Sequence, residues 1–327
     1  MRIATILAAL SLSSASALTL GEALGKTDLQ GNVKLAKAEW NDAKVNLDRQ
    51  LADPLLIKPT EVQARQRFEL AQAKLTAAQR SANSSIVNSF TQALAAQKQI
   101  ELVKKSVEIS QISLKVAEIR QKNGSGTVLD VRDAQRSLDD AQKNLAAAQD
   151  GFNLALRSLK NLVGDFDNTL VEPKDLPELP AEKTIDTVLA RSVNALQVRQ
   201  GLDLLKVQRS VQDPSYVAQS QIDATDKQIA DTEQNLSDLL DGERVQVRSL
   251  FNAAVSAYKG IAVADKAENN AQDKLQNDQK RFKSGLISQV QLVQTELGTI
   301  QAELALLQAK NSYFTSYYAF LSGSGGR

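Results

Sequence analysis

Apolar residues recur along this chain at helical spacing over unusually long stretches. Val131, Leu138, Leu145, Phe152 and Leu159 are spaced by seven, and Ala134, Ala141, Ala148 and Ala155 keep the same interval. This is a heptad seam with a large residue at one position and alanine at the other, which lets a partner backbone come close. Phe68, Ala71, Leu75, Ala78 and Ala82 repeat the pattern earlier. The last stretch carries two offset stripes. One runs Val290, Val293, Leu297, Ile300, Leu304, Leu307, Phe314, Tyr318 and Leu321, with Asn311 as its polar member. The other runs Leu292, Ala302, Leu306, Ala309, Tyr313 and Phe320. Two stripes suit a helix with a neighbour on each side, in a barrel of helices or inside a monomeric bundle.

Helix breakers locate the joints. Asp53-Pro54 and Pro59 interrupt the first helical region, Gly124 and Gly126 the next, and Gly164 ends a third. Asp165 to Lys183 holds Pro173, Pro177 and Pro180 with six acids and two bases, and reads as an ordered linker. After it the pattern returns: Asp213-Pro214 interrupts and Gly285 breaks. With an offset of 161, Gly124 falls on Gly285, Arg120 on Arg281, Phe90 on Phe251, Leu145 on Leu306 and Phe152 on Tyr313. An internal duplication is the economical explanation. The spacing predicts helices over about 20–51, 60–121 and 127–163, then about 185–212, 216–283 and 288–322. The middle helix of each set spans roughly 93 Å, close to the summed length of the outer two. The fold class is therefore all-α: long antiparallel coiled-coil helices in two tandem three-helix repeats, with each long helix flanked by two shorter ones end to end.

The start, residues 1–17, reads as an export signal: Arg2, an apolar run from Ile3 to Leu12, and Ala15-Ser16-Ala17 as the cleavage site. The division is then 18–164 as the first repeat, 165–183 as the linker and 184–327 as the second repeat. Lys plus Arg total 39 and Asp plus Glu 38, so loss of Arg2 with the leader leaves 38 of each. That balance argues against a nucleic-acid partner. There is no histidine and no cysteine, which excludes a Ser-His-Asp triad, a thiol nucleophile, a disulfide and an ordinary zinc or haem site. No cofactor, no metal and no enzyme activity is expected, because no carboxylate sits in a catalytic or calcium-loop signature. After the leader no run reaches about 18 apolar residues, the length of a membrane helix.

At the glycine breaks the chain resembles the outer-membrane efflux protein family, the TolC-like proteins. The resemblance rests on Arg281-Phe282-Lys283-Ser284-Gly285-Leu286-Ile287-Ser288 and the helix after it. It rests also on Gly124-Ser125-Gly126-Thr127-Val128-Leu129-Asp130-Val131 and on the ending Leu159-Lys160-Asn161-Leu162-Val163-Gly164. Leu18-Thr19-Leu20-Gly21-Glu22-Ala23-Leu24 at the mature start adds to it. The resemblance implies a homotrimer whose two-repeat protomers close into a twelve-strand helical cylinder, a TolC-like α-barrel, in the periplasm at the outer membrane. An inner-membrane transporter and a periplasmic adaptor would dock at the hairpin tips. By this resemblance the adaptor would grip Gly124, Gly126, Thr127, Gly285, Leu286 and Ser288. The same glycines also permit tight turns, and Thr127 and Ser288 also suit helix caps.

One departure from the family is large. The family inserts two membrane strands between the first and second helix of each repeat. Two such strands need about 9–11 residues each and a turn, and the gaps here, near 52–59 and 212–215, hold neither pair. No transmembrane barrel is expected. Apolar tips remain at these gaps: Leu55, Leu56 and Ile57, and Tyr216 and Val217. They are candidates to face lipid or an outer-membrane or envelope protein, or simply cap the bundle. The family often narrows its entrance with aspartates six and nine residues after the second tip glycine. Here those positions are Gln291 and Gln294, while the first-half equivalents are Asp130 and Asp133. In a trimer these would form two carboxylate rings that select cations and repel one another; alternatively both are solvated acids, with Asp130 favouring a first helical turn. The leading expectation is an efflux or export conduit. The alternative is a structural helical spacer linking envelope layers without transport.

Overall fold

The computed structural model describes residues 17–323. Nearly all of the leader expected at 1–17 lies outside the described residues. The rest is helical: α1 Leu20–Leu24, α2 Gly31–Leu51, α3 Lys58–Lys122, α4 Val128–Val163, α5 Thr184–Leu189, α6 Val193–Ser210, α7 Gln219–Lys283 and α8 Gln289–Ser322. A 3-10 turn, Thr27–Leu29, joins α1 to α2. Among the described residues there is no strand, only one isolated parallel bridge between Leu18 and Leu170. No helix among them is long and apolar enough to cross a membrane.

The expected long helices form, with one correction that recurs in both halves. The first helix of each set is broken. A capping box closes α1 at its start, where Thr19 Oγ1 accepts from the Glu22 amide and Glu22 accepts from the Thr19 amide. The chain then turns at Gly25 and restarts at Gly31. In the second half α5 ends at Leu189 and Ser192 caps α6 by accepting from the Ala195 amide at 3.1 Å. A side-chain cap satisfies an amide that a helix start leaves open, so Ser192 in mid-pattern begins a new helix, whereas α2 restarts after Gln30 without a side-chain cap.

The two long helices, α3 and α7, have 65 residues each, about 98 Å at 1.5 Å per residue. Packing is sheet-like in order. Helices α2 and α4 both lie against α3, and α6 and α8 both lie between α3 and α7. The end of α4 meets the 3-10 turn that leads into α2, and the end of α8 meets α5. The molecule is therefore one layer of four strands, in the order α2 with α4, α3, α6 with α8, α7. The alanine seam of α4 faces α3, where Leu138 and Ala141 pack with Val107. The two stripes of α8 face its two neighbours within one chain.

Register is set by polar links as well as by apolar packing. Lys98 and Lys105 of α3, seven residues apart, pair with Glu303 and Glu296 of α8 at 2.6 and 2.7 Å. The numbers descend on one helix as they rise on the other, as an antiparallel pair requires. Asn311, the polar member of its stripe, is buried and its Nδ2 donates to the Thr91 carbonyl at 3.1 Å. A buried amide with one fitting partner disfavours slipped registers. Near the other end Gln66 and Gln200 exchange amide bonds with each other's backbone carbonyls at 3.2 and 3.0 Å.

The main core lies at mid-length. Phe90, Ile86 and Val87 of α3 meet Leu20 and Ala23 of α1, Leu156, Leu159 and Val163 of α4, Leu170 of the linker and Leu307 and Phe314 of α8. A smaller cluster joins α5, α7 and α8 through Ile185, Val188, Val247 and Phe320. The aromatic end of α8 holds the linker: the Tyr313 hydroxyl donates to the Pro177 carbonyl at 2.9 Å, and its ring stacks edge-on against Tyr258. Desolvation pushes the Tyr313 phenol up to about 12, with Tyr317 and Tyr258 adding to the shift. A phenol raised on folding favours the neutral form. Its contribution is full below the unfolded value near 10 and is lost as pH rises toward 12. Two units are worth roughly 2–3 kcal/mol. Unfolding in urea across this range should show that loss, and Tyr313→Phe should remove it.

Candidate functional site

Two features of the molecule concentrate candidate residues: the hairpin end, where α3 turns into α4 and α7 into α8, and the opposite end, where 52–57 and 211–218 join the helices.

The two hairpins are built alike. Gly124 and Gly285 sit at φ +73°, a conformation glycine takes without the Cβ clash. The amide of the residue after each glycine donates to a carbonyl five residues back: Ser125 to Arg120 at 2.9 Å and Leu286 to Arg281 at 2.8 Å. The glycine amides donate to Gln121 and Phe282. This is the Schellman closure. A capping box then starts the returning helix, with Thr127 paired to Asp130 and Ser288 paired to Gln291.

The structure thus places the residues singled out in the sequence. Gly124 and Gly285 are the left-handed turn residues, Thr127 and Ser288 the caps. Gly126 is half-buried, and a Cβ there would stand 3.0 Å from that of Arg120. Leu286 projects at 70 % exposure. Asp130 is exposed, and one of its oxygens accepts from both the amide and the hydroxyl of Thr127, at 2.7 and 2.9 Å. The backbone bond first, then the hydroxyl, hold its carboxyl below the ordinary aspartate value, so it stays charged. Asp133 is exposed one turn on, 3.9 Å from Arg136. Gln291 is the second-half counterpart of Asp130 in its cap. Helices α4 and α8 lie on different sides of α3, so one chain does not bring the aspartate pair and the glutamine pair together.

Sequence reasoning missed a polar link at the second hairpin. Asp278 of α7 is buried, accepts from the Thr295 hydroxyl of α8 at 2.8 Å and pairs with Arg281 at 3.0 Å. The Thr295 bond, then Arg281, hold its carboxyl below the ordinary value. The equivalent residues of the first hairpin are Ala117 and Ala134, so the two hairpins are fastened differently. A cleft of about 510 Å³ lies beside the link, lined by Lys274, Arg281, Gln291 and Gln294 among others. At the opposite end Leu55, Ile57 and Tyr216 are exposed at 84, 64 and 89 %, while Leu56 and Val217 are half-buried. Val211, 74 % exposed, belongs with them. Asp53 and Asp213 tighten the two turns by accepting from the amides of Leu55 and Ser215. Neither joint contains a strand. Among the described residues no group of acids is placed to hold a metal ion.

A layer of alternating long and paired short helices, turned by two matched glycine hairpins, is a TolC-like all-α fold. The family of outer membrane efflux proteins matches residues 61–165, which run along α3, through the first hairpin and to the end of α4. Solved structures extend the likeness to the whole fold. The CmeC outer membrane channel of Campylobacter jejuni aligns over 93 % of this chain and 85 % of its own, with a TM-score of 0.64 at 12 % identity. CusC aligns over 94 % of this chain and 96 % of its own, at a TM-score of 0.65 and 12 % identity. The outer membrane protein VceC of Vibrio cholerae aligns over 94 % and 96 %, at 0.62 and 13 %. No curated protein matches in sequence. These findings show a TolC-like fold and support a TolC-like efflux component.

Proposed function

We propose that the chain is the protomer of an exported, periplasmic helical conduit at the outer membrane, which carries solutes across the cell envelope as a homotrimer. One observation carries this reading: the protomer is a single layer with two unfinished edges. Its accessible surface is 20236 Å² for 35.5 kDa, where a compact monomer of that mass exposes about 13,000 Å². Three four-strand layers closed edge to edge make twelve strands, each helix then flanked on both sides as α8 already is. The two halves, 18–164 and 184–327 with the linker 165–183 between them, act as tandem repeats, each contributing one hairpin to the tip. In this reading an adaptor protein grips Gly124, Gly126, Thr127, Gly285, Leu286 and Ser288, below an inner-membrane transporter. Leu55, Leu56, Ile57, Tyr216 and Val217 face lipid or an outer-membrane partner at the far end.

Electron microscopy of the purified protein should show a hollow cylinder, and a monomer at micromolar concentration would sink the reading. A spacer without transport is the rival: it predicts trimers and unchanged drug sensitivity in a deletion strain. Asp130 and Asp133 test the entrance. Asp130→Asn with Asp133→Asn removes the charge but keeps an oxygen that caps the helix. Efflux of cationic substrates should fall several-fold, because rings of carboxylates favour cations. Wild-type efflux from a confirmed trimer would leave the two acids as solvated helix-start residues.

A further inference from the structure

We propose that Arg80 and Arg191 form a binding site for a phosphate group, in the cleft where α3 passes the junction of α5 and α6. Arg80 lies on α3 and Arg191 in the turn between α5 and α6. Both line two adjoining clefts of about 280 and 290 Å³. Among the described residues neither guanidinium forms a hydrogen bond or an ion pair, and the Nε of Arg80 is buried without a partner. Two cations are thus held side by side, neither in an ion pair. Burial first and the like charge of Arg191 second lower the Arg80 pKa from its ordinary value, the direction expected of a cation that lacks its anion.

Each of the carboxylates that line these clefts has one oxygen engaged by another residue. Glu69 Oε2 accepts from Gln200 Nε2 at 3.1 Å, and Glu243 Oε1 accepts from the Ser192 hydroxyl at 2.7 Å. The helix start of α6 adds positive potential to the same cleft. Its cap engages the Ala195 amide, while the amides of Val193 and Asn194, both cleft-lining residues, donate to nothing among the described residues. Guanidinium forks at a cleft with free amides suit a planar or tetrahedral oxyanion.

One further atom selects among oxyanions. Glu243 Oε2 is buried in the same region and has no donor. Hydrogen phosphate supplies oxygens to both arginines and an O–H for this oxygen. Either anion meets the charge of Glu243, but a plain carboxylate brings no O–H to bond its free oxygen and offset that repulsion.

Calorimetry of the full chain with inorganic phosphate, at constant ionic strength, tests the site. One phosphate per chain is expected, with acetate at least tenfold weaker. Arg80→Gln and Arg191→Gln should each weaken phosphate by roughly tenfold or more, as loss of a charged hydrogen bond does. Glu243→Gln should narrow the preference over acetate, and the exposed control Arg65→Gln should change nothing. Arg191 is exposed, so its variant carries the test if Arg80→Gln fails to fold. Absence of binding overturns the proposal. So does wild-type affinity in a folded Arg191→Gln chain, and equal affinity for acetate overturns the choice of phosphate.

Discussion

Phe90→Ala is expected to destabilise the protomer by about 3–5 kcal/mol, the range for an aromatic truncated in a rigid core. Phe90 has no exposed surface and sits where α1, α3, α4, the linker and α8 converge. The layer is one helix thick, so apolar burial is thin along most of its length. At this level the linker and α1, joined by the Leu18–Leu170 bridge, pack onto the helices. A cavity here is lined by side chains from five segments, most of them on long helices that cannot shift locally to fill it. Urea unfolding followed by far-UV circular dichroism gives the measurement, with the slope compared to confirm that only stability changed. Leu55→Ala, at 84 % exposure, serves as the contrast and should stay within about 0.5 kcal/mol. A loss under 1 kcal/mol for Phe90→Ala would show that the convergence at mid-length does not hold the fold.

The long helices were legible because their signals are local. Heptad spacing, Gly124 and Gly285 placed the bounds of α3, α4, α7 and α8 within three residues of those observed. The break inside the first helix of each half was not seen, although Thr19-x-x-Glu22, Gly25 and Gly31 all lie in the sequence. Apolar periodicity continued across the break and outweighed the glycines in the first half and the Ser192 cap in the second. The role of Asp130 in its cap is likewise local, a matter of its three-residue distance from Thr127. Whether its charge also faces an entrance depends on how protomers close, which no local pattern encodes. Asp278 with Thr295, and Arg80 with Arg191, depend on tertiary approach between helices. In sequence each is one more polar residue on an amphipathic helix.

Placing charge on the edges should abolish assembly and leave the protomer intact. Val245 and Val263 of α7 are 73 and 71 % exposed. Each is nine residues from Ala254, which is fully buried; nine residues are two and a half turns, so both point away from the intrachain partners. They are eighteen residues apart, five turns, and so stand in line along the outer edge. The opposite edge is made by α2 and α4. Val45, 55 % exposed, lies nine residues from buried Ala36, and Leu154, 61 % exposed, lies nine from seam residue Leu145. Each edge therefore carries apolar side chains turned outward, and the two edges differ, as head-to-tail closure of a ring requires. Val245→Asp with Val263→Asp changes two mostly exposed side chains, and protomer stability should stay within about 0.5 kcal/mol. In the proposed trimer the same change buries two unpaired carboxylates at each of three interfaces, a penalty of several kcal/mol apiece. Analytical ultracentrifugation should find the wild type trimeric and the variant monomeric at micromolar concentration, with equal helicity. Leu154→Asp, on the other edge, should act the same way, because one interface joins both. A trimer that survives both variants would mean that the chain associates through the faces of the layer, and the lumen inferred from edge closure would then be absent.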